Sequence, residues 1–237
     1  MSSPQARPVP MPTVAITGAA GAIGSVTAEV FEDAGWDLAL IDYGDENCAP
    51  LEASFPGAKV FDTDLTDETA TMETFASLWQ EQEALDAVLG IAGGFAMQQA
   101  VESTADDYTR MMDLNFRTLF NTARAAVPFL TRADDSFLLG VSAPAALNGQ
   151  AEAGLYGASK AAVASYLKSL GKEEQNAGLR TTVLYPMGVV DTPDNRAAMP
   201  DADRSGWVTP RELADHMLHA ATRSPRGHVP ELKVHAT

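Results

Sequence analysis

The chain has 237 residues, 46% of them hydrophobic, which suffices for one α/β domain with a full core. Its formal charge is −16, from 32 acidic against 16 basic residues, so nucleic acid and anionic membrane are disfavoured as partners because both repel such a surface. Cys48 is the single cysteine, so no internal disulfide can form, and no apolar run approaches the roughly 20 residues that span a bilayer. A cytoplasmic location is expected. The acidic residues are spread along the chain, which fits either a salt-adapted surface or plain acidic solubility.

Residues 1–11, with several prolines and no apolar block, read as a disordered extension ahead of a single domain, 12–237. A short β-rich run, 12–17, leads straight into glycines. Residues 21–34 then carry helical spacing (Ile23, Val26, Val30, Phe31) up to a stop at Gly35. Strands follow at 37–42 and 58–62, and a helix at 66–82 with Thr66 as its N-cap. A buried-type strand at 86–94 ends in a glycine pair, and 104–132 reads as one or two helices with Pro128 near the exit. A fifth strand spans 136–142, a long helix runs from 154 to 177, and a sixth strand occupies 179–186. Residues 191–209 read as a loop that serves as a substrate lid, 210–222 as a helix with Pro210 at its first position, and the tail as an edge strand. Apolar strands alternating with helices imply a Rossmann-type, doubly wound parallel sheet of about seven strands with helices on both faces. Such sheets bind ligands at the carboxyl ends of their strands.

After the first strand comes Thr17-Gly18-Ala19-Ala20-Gly21-Ala22-Ile23-Gly24, opening into a helix. Residues without bulky side chains let backbone amides approach a pyrophosphate, and the helix N-terminus adds favourable partial charge. Asp42 ends the second strand, where a carboxylate accepts both ribose hydroxyls of an adenosine and repels a 2′-phosphate. No Arg or Lys follows to pair with such a phosphate, so NAD is expected over NADP. The alternative is that Asp42 only caps the next turn. On the long helix, Tyr156 and Lys160 stand i, i+4 on one face, so the ammonium is expected to lower the phenol pKa for acid–base work. Ser142 closes the preceding strand. His216 and His219 are spaced for a metal on one helix face, but with no third ligand nearby no metal is expected.

With these pieces in place the chain resembles the short-chain dehydrogenase/reductases over residues 12–235. The matching segments are the glycine turn, the pair Asp64-Leu65, Ala92-Gly93, Asn115, Ser142, Tyr156 to Lys160, and Pro186 followed by Thr192. The resemblance implies hydride transfer with Tyr156 exchanging a proton with the substrate. It also implies that Lys160 tunes the phenol and holds the nicotinamide ribose, Asn115 anchors a water relay, and Asp64 faces the adenine. Gly18, Gly21, Ala22, Ile23, Gly24, Leu65, Ala92, Gly93, Gly94, Pro186, Val189 and Thr192 would line the cofactor. The family's serine position is Ala143 here, with Ser142 one residue away, and the glycines fall at 18, 21 and 24. A small residue at 143, the run Ala92-Gly93-Gly94-Phe95 and the segment 191–207 resemble the dihydropteridine reductase branch. Asn115, and Phe95 in place of a tryptophan, depart from that branch. The implied substrate is a small carbonyl or quinonoid molecule; the alternatives are a general carbonyl reductase using Ser142, or a dinucleotide-binding scaffold. A homodimer or homotetramer built on the helices at 104–132 and 154–177 is also implied.

Overall fold

The computed structural model describes residues 11–236, so the expected disordered extension lies almost wholly outside the described residues. Its strands are β1 (Thr13–Thr17), β2 (Asp37–Asp42), β3 (Lys59–Asp62), β4 (Ala87–Gly90), β5 (Ser136–Val141), β6 (Leu179–Pro186) and β7 (Glu231–Val234). The helices are α1 (Ala22–Asp33), α2 (Asp45–Ser54), α3 (Glu68–Gln82), α4 (Ala105–Met112), α5 (Thr118–Leu130), α6 (Ala145–Asn148), α7 (Gly154–Glu173), α8 (Pro193–Ala198) and α9 (Pro210–Ala221). All strands pair in parallel in one sheet of order β3-β2-β1-β4-β5-β6-β7, which reverses direction between β1 and β4. No helix among the described residues is long and apolar enough to cross a membrane.

Period-two alternation divides β1 between two cores. Val14 and Ile16 pack with Leu213 and Met217 of α9 on one face, and Ala15 packs with Phe75 of α3 and Leu167 of α7 on the other. Both faces are covered, which is why these strands carry few polar residues. Between α4 and α5, residues Asp113–Arg117 form one turn of π-helix, a widening frequent at functional sites.

Several boundaries differ from the sequence reading. Asp67, not Thr66, caps α3, its carboxylate accepting from the amides of Thr69 and Ala70; Thr66 instead donates its amide and hydroxyl to Asp64. A carboxylate one residue on is the stronger acceptor, and it sets the helix start. Helix α2 has no pattern to announce it: it contains Pro50 and buries little beyond Cys48 and Leu51. The stretch at 191–209 is not all loop, because Thr192 caps α8 through the amide of Asn195. The long helix ends at Glu173 and passes through a 3₁₀ turn to Gly178 at φ +85°.

Close docking of α7 on the sheet rests on Gly171, where a Cβ would stand 2.1 Å from Thr181 Oγ1 and 3.2 Å from Thr181 Cβ. Gly171→Ala should cost about 1–3 kcal/mol in urea unfolding. Gly57→Ala, where a Cβ meets nothing within 4 Å, should change stability little.

Candidate active site

At the switch between β1 and β4, Gly18 adopts φ +66°, and a Cβ there would lie 2.8 Å from the backbone of Ala92. Only glycine meets both demands. Thr17 reinforces the joint: its hydroxyl donates to the Leu89 carbonyl and accepts from the amides of Ile91 and Ala92. Gly24 lets α1 lie against this turn, since a Cβ would stand 2.1 Å from the Gly18 carbonyl. Gly21 is the N-cap of α1, and no side chain caps it, whereas α3, α4, α8 and α9 are capped by Asp67, Thr104, Thr192 and Thr209. The amides of Ala22, Ile23 and Gly24 thus open the helix with no side-chain acceptor from the N-cap, a start that fits the pyrophosphate of a dinucleotide.

Asp42 stands at the end of β2, beside the turn. Its Oδ2 accepts from the Ala20 amide at 2.8 Å, and Oδ1 from the Tyr43 amide at 2.9 Å and Asn47 Nδ2 at 3.0 Å. About four acceptor positions exist on a carboxylate, and three are engaged, so it cannot take both ribose hydroxyls without giving up a bond. The two readings of this residue merge: it braces the turn and keeps one acceptor position. Asp62 lies across from it in the strand register and accepts from the Gly44 amide. Asp64 holds Thr66 through one oxygen, and Leu65 is buried in the core, its carbonyl accepting from Asn121.

Tyr156 and Lys160, the expected catalytic pair, sit where β5 meets α7. Lys160 is 5% exposed, and its Nζ donates to the Val141 carbonyl at 3.0 Å. Burial pulls this ammonium down to about 8. Tyr156, one turn earlier, is half-buried, and burial pushes its phenol up to about 12. The expected lowering of the phenol by its neighbour is therefore overturned in the free protein: loss of solvent dominates, and the ammonium is turned to a carbonyl. Phe95, 58% exposed, meets the Tyr156 ring edge-on with centroids 4.8 Å apart.

Asn115 lies on the π-turn, 1% exposed. It exchanges hydrogen bonds with the amide and carbonyl of Gly94 and donates to the Met111 carbonyl, which leaves its side chain no N–H for a water relay. At Gly93 a Cβ would stand 2.6 Å from Asn115 Oδ1 and 3.0 Å from Lys160 Nζ, which brings the loop after β4 directly to the pair. Ser142 is buried, and its hydroxyl donates to the Lys160 carbonyl at 2.8 Å, so it braces the helix instead of facing a substrate. Ala143 follows, also buried. Pro186 ends β6 and is buried; Val189 is half-buried, and the Thr192 hydroxyl caps α8. Sequence reasoning missed Thr17, Asn47 and Asn121, because polar residues that tie one loop to another leave no periodic signal. His216 and His219, by contrast, lie exposed on α9.

The short chain dehydrogenase profile matches residues 12–203. An uncharacterized oxidoreductase of Staphylococcus aureus is 27% identical over 221 residues, covering 92% of this chain and 94% of its own length. Among solved structures, 3-ketoacyl-(acyl-carrier-protein) reductase from Brucella melitensis complexed with NADH superposes with TM-score 0.83 at 19% identity, over 94% of this chain and 96% of that one. Alcohol dehydrogenase from the archaeon Thermococcus sibiricus, complexed with 5-hydroxy-NADP, gives 0.82 at 21% identity, over 96% and 97%. With a glycine turn that fits a dinucleotide, a tyrosine–lysine pair at the switch point and a profile covering most of its length, this chain belongs to the short-chain dehydrogenase family and is an NAD(P)-dependent oxidoreductase.

Proposed function

We propose that the protein uses NADH to reduce a conjugated C=N or C=O group in a flat substrate of the quinonoid dihydropteridine kind, with Tyr156 as the proton donor. The carrying observation is the placement of Tyr156, one helical turn before the buried Lys160 and edge-on to the exposed Phe95, where its hydroxyl proton can be passed to a bound substrate. A reduced nicotinamide supplies the hydride when bound; the chain's task is to hold it, shield the site and protonate the substrate heteroatom. The uncapped start of α1 would hold the pyrophosphate, with Gly18 and Ala92 lining its approach. Lys160, buried one turn from the phenol, would hold the nicotinamide ribose. Ser142 and Ala143 offer no second donor to a developing oxyanion, a lack best tolerated by a substrate whose charge spreads over a conjugated ring. Phe95, edge-on to Tyr156 and exposed, gives such a ring a flat apolar surface.

NADH is proposed over NADPH because a 2′-phosphate near Asp42 would also meet Asp62 in the adjacent strand. Two copies are proposed to pair through α4, α5 and α7, where Phe116, Phe120 and Tyr166 form a half-buried aromatic cluster with centroids 5.6–6.1 Å apart. A cytoplasmic location accords with this chemistry and with a cysteine left as a thiol.

Tyr156→Phe should lower kcat for quinonoid dihydropterin by at least about 10²-fold while NADH affinity stays within a few-fold, measured by NADH oxidation and by fluorescence titration. Activity with a panel of simple ketones but none with dihydropterin would overturn the substrate reading. NADPH binding tighter than NADH would overturn the cofactor reading. The pH profile carries a sign: Lys160 loses its proton as pH rises through about 8 in the free protein, so kcat/KM should fall on the alkaline side from there. A limb that persists unchanged in Lys160→Met would assign it to another group.

A further inference from the structure

At the amino ends of β5 and β6, on the side of the sheet opposite the glycine turn, lies a cavity of about 890 Å³. Its lining includes Arg132, Lys168, Lys172, Arg180 and His228, against Asp134 as the lining carboxylate. Such a collection is unexpected in a chain of net charge −16, where 32 carboxylates are available to 16 bases. Eight basic side chains are ion-paired. Among the described basic residues, Arg132, Lys160, Lys172, Arg204, Arg223, Arg226 and Lys233 have no such pair, and of these Arg132 and Lys172 line this cavity.

The cavity is also built. Arg180 is 8% exposed and clamped by Asp135 at 2.6 Å and by the carbonyls of Ala220 and Ala221. Lys168 is held by Glu231 at 2.6 Å. The Arg132 guanidinium lies over the rings of Trp79 and Phe129, 4.9 and 5.5 Å from their centroids, which orders its plane before any ligand arrives. His228 lines the cavity too, its Nδ1 closed off among protein atoms. Burial and then Arg180 hold this imidazole below its ordinary range.

One competing account needs no ligand. Helices α5, α7 and α9 all end at this edge, and cations there offset their carbonyl ends. Arg180 does this for α9, and Arg132 reaches the Pro128 carbonyl of α5 at 3.4 Å. That account does not explain why Arg132 and Lys172 are left without a carboxylate partner in so acidic a chain.

We propose that this cavity binds a small oxyanion, a phosphate or carboxylate group carried by a free small molecule, through Arg132 and Lys172 with Arg180 and Lys168 as its fixed frame. The site is separate from the chemistry: Lys172 lies 12 residues beyond Lys160 on α7, about 18 Å along the axis. The inference does not rest on the substrate reading.

Thermal melts of the full chain in rising sodium phosphate, against sodium chloride at matched ionic strength, test it, since chloride reports general screening of an acidic surface. The expected result is a saturable phosphate-specific rise in Tm, with the half-saturating concentration raised about tenfold in Lys172→Gln and in Arg132→Gln. Each variant is referred to its own chloride curve, so a change in intrinsic stability does not obscure the result. Citrate forms a second arm: a saturable shift with either probe supports an oxyanion site, and the one that acts tells phosphate from carboxylate. Identical curves in phosphate, citrate and chloride would overturn the proposal, as would an anion response retained in full by both variants. NADH oxidation is not part of this readout, so failure here leaves the catalytic reading standing.

Discussion

Lys160 is a positive charge taken almost wholly out of water with a single carbonyl, that of Val141, as its hydrogen-bond partner. An ammonium has three N–H groups, and two are left without protein acceptors in the free molecule. Burying a cation on such terms is costly and survives only because the surroundings leave it no other place. Two reciprocal bonds do this: Lys160 donates to the backbone of β5, and Ser142, just past β5, donates back to the Lys160 carbonyl. The clasp locks α7 against the strand. It also explains the glycine at 93, where any side chain would strike both Asn115 and the ammonium.

From this arrangement the behaviour of the phenol follows. Tyr156 and Lys160 are neighbours on one helix face, yet the ammonium is drawn inward to the strand while the phenol sits under Phe95. Desolvation therefore governs each group separately, the phenol moving up and the ammonium down. Both shifts favour the neutral form, and the ammonium is the group more easily lost at alkaline pH. At a larger scale, helix α1 starts uncapped at the carboxyl edge of the sheet, while α5, α7 and α9 end at the amino edge beside Arg132, Lys172 and Arg180.

How far the chain could be read beforehand depended on whether a feature repeats. Strands β1, β2, β4, β5 and β6 bury both faces and stand out as apolar runs, and the glycine turn and Tyr156–Lys160 have fixed local spacing. Helix α2, with a proline inside and two buried residues, has no such period, and α3 begins one residue later than its threonine suggested. Asp42 was legible as an acid at the right place, but its engagement by Ala20, Tyr43 and Asn47 depends on how the turn folds back on β2.

Ser142 marks the boundary between the two kinds of knowledge most clearly. Its neighbour Ala143 stands where the family's serine is expected, and the residues alone left open whether a one-residue shift could restore the hydroxyl; side chains alternate along a strand, so such a shift reverses direction, and only the packed structure shows the hydroxyl aimed into α7. The sequence by itself determined what local periodicity and spacing encode: a parallel α/β sheet, a glycine turn opening a helix, and a phenol and an ammonium one turn apart. Tertiary structure alone decided which carbonyl holds the ammonium, which way each pKa moves, and which basic side chains line one cavity. Those outcomes depend on burial and on partners distant in the chain, and neither is a property of any short stretch of residues.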